Sequence, residues 1–196
     1  YEREAPPLIT KTWRMIFCGA DSVWWWMLPG KGRFHGWFAP NDEPYPATQR
    51  LIDECILPLR RGLGDLLLRL DRQHDGIALY YSVAAVNAQS VPGAEKFSDI
   101  TAATAGFIKL VEDSGYQWIT MTRQRLLAGE LEARGIKLVL LPYTQALGSD
   151  EVAALRRFAA NGGLVLADLR PGVLSGHCRP LEHGPADGLF GLRRTG

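Results

Sequence analysis

Four short apolar runs, Ile77 to Ser82, Gln117 to Met121, Lys137 to Leu141 and Leu164 to Ala167, alternate with stretches of helical periodicity. That alternation constrains the fold more than any other feature of the chain. Strands buried on both faces read as continuous apolar runs, and strand alternating with helix favours a parallel sheet flanked by helices. Ser98-Asp99 opens a helix whose face is Ile100, Ala103, Phe107, Leu110 and Val111, and Gly115 ends it. A shorter helix from about Gln124 to Ala133 stops at Gly135, and Ser149 caps another with Val152, Leu155 and Phe158 inward. Right-handed crossovers then predict an α/β fold of flavodoxin-like strand order 2-1-3-4, with helices on both faces.

Residues 1–74 differ in character from residues 75–196. Ile9 to Cys18 reads as a helix with Trp13, Ile16 and Phe17 on one side, and Gly19-Ala20-Asp21-Ser22 as a turn. Val23-Trp24-Trp25-Trp26-Met27-Leu28 reads as a buried strand. An aromatic, Gly- and Pro-rich loop follows from Pro29 to Pro46. A helical pattern then runs from Thr48 to about Leu70, where Pro58 should kink it.

Charge and cysteine usage exclude several function classes. Lys plus Arg is 22 and Asp plus Glu is 21, for a net charge of +1. No basic stripe favours nucleic acid or a membrane surface, and no apolar run reaches the roughly 18 residues of a transmembrane helix. The three cysteines, Cys18, Cys55 and Cys178, form no CxxC pair and read as free thiols. The chain opens Tyr1-Glu2-Arg3-Glu4 without Met, which suggests a fragment or a processed chain and leaves the compartment unread.

In a sheet of this type a ligand crevice lies beyond the C-terminal strand ends. Ser82, Tyr143 and Asp168 stand there and are the crevice candidates. No GxGxxG or GxxxxGK[ST] follows the first strand, where Val83 to Phe97 reads as a loop, so dinucleotides and triphosphates are disfavoured. An amidotransferase of this layout needs a Cys on an elbow after a central strand. The third strand here is followed by Tyr143-Thr144-Gln145. A GxSxG elbow is absent as well. His177, Cys178, Glu182 and His183 invite a metal test, but their Gly- and Pro-rich surroundings read as a polar surface loop, and no metal or other cofactor is expected. Three consecutive indoles cannot all be exposed cheaply. Core packing accounts for one face of Trp24–Trp26, and stacking on a sugar ring is the functional reading for another.

The order of these motifs resembles family 42 β-galactosidases and related multidomain glycoside hydrolases. The carriers are Gly19-Ala20-Asp21-Ser22-Val23 with its aromatic run, the Trp/Gly/Pro loop, the long helix, and Gly76-Ile77-Ala78-Leu79-Tyr80-Tyr81-Ser82. Asn161-Gly162-Gly163-Leu164-Val165-Leu166-Ala167-Asp168 and Pro185-Ala186-Asp187-Gly188-Leu189-Phe190-Gly191-Leu192 continue the series. The resemblance implies that residues 1–74 are the last helix-strand-helix portion of a (β/α)8 barrel. Residues 75–196 would be an amidotransferase-like trimerisation domain, truncated at its C-terminus. Both catalytic glutamates would lie upstream of Tyr1, so no catalytic residue is expected in this chain. Retaining hydrolysis needs two carboxyls about 5 Å apart. The resemblance marks Trp25 and Trp26, with Leu28, as candidate sugar contacts. It implies the rest of the barrel, sister subunits in a trimer and a carbohydrate substrate as partners, with no nucleic acid and no membrane.

Two other readings compete. One is a stand-alone small-ligand-binding or assembly module using the crevice at Ser82, Tyr143 and Asp168. The other is a divergent amidotransferase-like hydrolase, for which Cys178 and His183 are the one plausible pair.

Overall fold

The computed structural model describes residues 5–24, 37–39, 43–90 and 99–192. The chain divides into two compact units, Tyr1–Arg72 and Gln73–Gly196.

In the second unit β1 (Ile77–Tyr81), β2 (Trp118–Thr122), β3 (Leu138–Leu141) and β4 (Leu164–Ala167) form one parallel sheet of order β2-β1-β3-β4. Register runs Ala78 to Ile119 and Val139, and Val139 to Val165. Alternation along each strand sends Ala78, Tyr80, Ile119, Met121, Val139 and Leu141 to one face. There they meet Leu126 of α6 (Arg123–Leu127), Leu131 of α7 (Glu130–Ala133), and Val152, Leu155 and Phe158 of α8 (Ser149–Ala160). The expected 124–133 helix is therefore two short helices. Gly129, at φ 78°, breaks it in a left-handed conformation that glycine adopts without strain.

Right-handed crossover from β1 to β2 places α4 (Val83–Ala88) and α5 (Ile100–Asp113) toward the other face, where Leu79, Trp118 and Leu140 are buried. Asp99 caps α5 by accepting from the Thr101 N–H at 2.7 Å. Val111 is buried, whereas Leu110, expected on the same inward face, is exposed. The loop expected from Val83 onward is a helix as far as Ala88, because Ser82 caps it by accepting from the Ala85 N–H. β4 is less buried than its sequence suggests. Leu164 and Leu166 point to solvent from this edge strand.

At the end of α8, Gly163 packs under the Phe158 ring, and a Cβ there would collide with it. Phe158 is buried and cannot swing away. Gly163→Ala is expected to cost about 1–3 kcal/mol, read as a lower urea midpoint at unchanged slope.

In the first unit α1 (Ala5–Phe17) ends in a tight turn. The Gly19 and Ala20 N–H groups return to the Ile16 and Met15 carbonyls, with Gly19 at φ 93°. Its partner begins as α2 (Pro46–Leu51), passes through two π-helical stretches, Ile52–Ile56 and Leu59–Leu63, and ends as α3 (Gly64–Arg69). The break expected at Pro58 takes this form. Proline has no N–H to return to the Glu54 carbonyl. The chain closes wider turns on either side, Leu57 N–H to Ile52 O and Gly64 N–H to Leu59 O, and Gly62 leaves helical geometry at φ 118°. Trp37, Leu51 and Cys55 form a small core with Leu8, Ile9 and Trp13.

The strand expected over Val23 to Leu28 is described only at its first two residues. Val23 and Trp24 are irregular, and the Trp24 indole is 91% exposed. The remainder of that run, Trp25 to Leu28, lies outside the described residues.

Candidate functional site

Ser82, Tyr143 and Asp168 all lie at the C-terminal ends of strands. Asp168 follows β4, and its Oδ1 accepts from the Tyr143 backbone N–H at 2.7 Å. Burial raises this carboxyl above its ordinary pKa, against the pull of the Tyr143, Leu169 and Asp168 backbone N–H groups. Tyr143 itself is buried and sits at φ 39°, a left-handed conformation uncommon for a non-glycine residue. The turn after β3 is thus a strained elbow, the position at which an amidotransferase layout calls for a nucleophile. Its occupant is a tyrosine with little access to solvent. Asp168→Ala is expected to cost about 1 kcal/mol by leaving that N–H without its acceptor. Asp168→Asn, which keeps a carbonyl there, is expected to cost less than half as much in the same denaturation experiment.

Ser82 makes two hydrogen bonds at the end of β1. Its hydroxyl caps α4 and donates to the Ala146 carbonyl at 3.3 Å. Ala146 forms a parallel bridge to Leu174, and Leu174 an antiparallel bridge to Pro180. Ala88, Ala146 and Leu174 pack together, joined by Ala84, Val173 and Cys178. The switch point between β1 and β3 is therefore filled by the chain's own loops. The Cys178 thiol donates to the Ala84 carbonyl at 3.2 Å. Among the described residues no group of three or more His, Cys, Asp or Glu is arranged to hold a metal.

A second polar group near these strand ends escapes the sequence reading. Tyr80 of β1 donates its hydroxyl to Glu151 Oε1, and both side chains are buried. Glu151 Oε2 accepts from the Gly148 N–H at 2.7 Å, and Arg123 Nε stands 3.7 Å away. Arg123 also pairs with Asp150. Glu151 occupies the first turn of α8, where the helix dipole favours a negative charge. Burial raises the Tyr80 phenol pKa far above its ordinary value, and the hydrogen bond and charge of Glu151 add to the rise. The carboxylate has donors on both oxygens, so this reads as a latch holding α8 against β1.

The first unit carries a groove of about 680 Å³ along the C-terminal part of α1 and the 56–72 segment. Ile16, Phe17, Ile56, Leu59 and Leu67 line it, with Asp21, Arg60 and Asp71 among its polar positions.

Comparison with known proteins bears on the fold. No family model matches the chain, and neither does any curated protein. Solved structures do match. The β-galactosidase from Bacillus circulans sp. alkalophilus superposes with a TM-score of 0.68 at 15% identity, over 95% of this chain and 28% of that one. Gan42B, a GH42 β-galactosidase, gives 0.64 at 15% identity over 94% of this chain and 27% of that one. A GH42 exo-carrageenase from Bacteroides ovatus gives 0.54 at 14% identity over 95% and 24%. The fold is that of one portion of the GH42 β-galactosidases. The chain spans only about a quarter of the length of these three structures.

Proposed function

We propose that this chain is the C-terminal, non-catalytic portion of a glycoside hydrolase. The observation that carries the reading is the combined coverage, nearly all of this chain against a little over a quarter of the GH42 β-galactosidases. On this reading residues 1–74 complete the barrel, and the α/β unit is an amidotransferase-like trimerisation domain. The tyrosine at the elbow after β3 favours a supporting role for that domain over a hydrolytic one, because nucleophilic acyl transfer needs an activated thiol or hydroxyl. The loop-filled switch point argues in the same direction against a stand-alone small-ligand module. The substrate is a glycoside, as both galactosidases and a carrageenase stand among the structural neighbours. Trp25 and Trp26 are the proposed sugar contacts.

The test is hydrolysis of p-nitrophenyl β-galactoside and other aryl glycosides. The product of the complete reading frame is expected to release p-nitrophenol, and the 196-residue chain to release none. Within the complete enzyme, Trp25→Ala or Trp26→Ala should raise KM. Hydrolysis by the isolated chain would overturn the reading.

A further inference from the structure

Of the three asparagines, Asn41, Asn87 and Asn161, Asn161 alone precedes a glycine. A glycine nitrogen has no neighbouring side chain to hinder its attack on the asparagine amide. Asn161 and Gly162 are exposed, in the turn that carries α8 into β4. The backbone ties this turn down at each step. The Asn161, Gly162 and Gly163 N–H groups donate to the Arg157, Ala159 and Phe158 carbonyls at 3.1, 3.0 and 3.0 Å, and the Leu164 N–H donates to the Lys137 carbonyl at 2.8 Å. Gly163 is held under the buried Phe158 ring. Closing a ring from the side chain onto the Gly162 nitrogen requires that nitrogen to eclipse Asn161 Cβ about the Cα–C bond. Asn161 sits at ψ 11°, where its own nitrogen is nearly eclipsed instead. The Gly162 N–H, which must lose its proton, is held by the Ala159 carbonyl.

We infer that Asn161-Gly162 is a hydrolytic modification site gated by the last turn of α8, inert while the turn is closed and converted to aspartate and isoaspartate when it opens. This does not rest on the function proposed above. In the open turn the Gly162 nitrogen gives its proton to water and attacks Asn161 Cγ. The bond from Cγ to the side-chain nitrogen breaks, and that nitrogen takes up a proton and leaves as ammonia. The succinimide then adds one water. Addition at Cγ restores the ordinary main chain as aspartate. Addition at the backbone carbonyl reroutes the main chain through Cβ and Cγ as isoaspartate. Water is the sole co-reactant, and nothing is oxidised or reduced. Either product places a carboxylate at the C-terminus of α8, where the helix dipole disfavours it. Isoaspartate also lengthens the main chain by one methylene next to Gly163, which has no spare room beneath Phe158. A reaction that proceeds from the open form alone scales with the population of that form.

The test follows the 196-residue chain during warm storage in mildly alkaline buffer. Conversion is read as the mass gain, amide to carboxylate, of the tryptic peptide that holds Asn161. In denaturing guanidinium chloride that peptide should convert at least about tenfold faster than in the folded chain. Gly163→Ala, whose new methyl group collides with Phe158, should speed conversion in the folded chain by about fivefold or more. Denaturant below the unfolding midpoint should do the same to the parent, and takes the place of that variant if it does not fold. Asn161→Gln should show no mass gain at this peptide. The converted chain should melt about 3 °C or more below the fresh one, a loss that Asn161→Gln escapes on the same storage. Equal rates in the folded and unfolded chains would overturn the gate, as would a rate that neither Gly163→Ala nor mild denaturant changes. No conversion even in the unfolded chain would overturn the site itself, and each of these results leaves the glycosidase reading where it stands.

Discussion

Replacing Glu151 with Ala is expected to lower the unfolding free energy by about 2–5 kcal/mol, the cost of leaving buried donors without their acceptor and of the space the side chain vacates. The loss has three parts. The Tyr80 hydroxyl keeps its burial and loses its acceptor. The Gly148 N–H at the start of α8 loses the carboxylate 2.7 Å away. The removed side chain leaves a space beneath a residue that is only 2% exposed. Tyr80→Phe alone should cost about 1–3 kcal/mol, because the carboxylate retains its backbone donor. The double variant Tyr80→Phe/Glu151→Ala should fall short of the summed losses, since the hydroxyl that Glu151→Ala leaves without its acceptor is then absent. Urea denaturation of the four proteins measures the coupling. An additive result would mean that the two side chains act independently and that no latch exists.

The same pair should make stability fall at alkaline pH. Tyr80 has an ordinary pKa of 10.0 and a much higher one in the folded protein. A group whose folded pKa is raised contributes stability that is complete below its unfolded pKa and is lost as pH climbs toward the folded one. Below about pH 10 the phenol is protonated in both states and pH has no effect through it. Above that pH the unfolded chain releases the proton and the folded chain retains it. Stability should then fall by about 1.4 kcal/mol per pH unit. In Tyr80→Phe this component is gone. The variant should therefore begin less stable at about pH 8 and approach the parent by about pH 12. Parallel curves across that range would show that Tyr80 is not held protonated by its surroundings.

How much of this is legible in the sequence depends on how local the signal is. The four strands can be read because burial on both faces leaves a continuous apolar run, and the order 2-1-3-4 follows from crossover handedness. Leu110 and Leu164 carry the same apolar signal yet face solvent, because sequence pattern does not say how far the neighbouring layers extend. The α4 helix escapes notice although Ser82 is a good cap, since the Gln-Ser-Val-Pro-Gly run after it suggests a loop throughout. Glu151 reads locally as an acid in the first turn of a helix. Its burial depends on Tyr80, 71 residues earlier, which no local pattern reveals. Tyr143 likewise has no glycine to announce its positive φ; the Asp168 carboxylate holds the turn from the next strand. The crevice residues do stand at strand ends, but the loop that fills the switch point through Leu174 has no periodicity by which to anticipate it. Trp24 reads as buried on the sound premise that indoles avoid water. Its exposure in this chain follows if the layer that covers it belongs to the rest of the protein.

The most direct measurement of the central claim is the nucleotide sequence upstream of the Tyr1 codon in its native reading frame. The account expects roughly 300 further residues in βα repeats, with glutamates at the ends of the fourth and seventh strands. A translation start immediately before Tyr1 would contradict it, and the exposed Trp24 and the groove beside it would then need a partner from outside this gene.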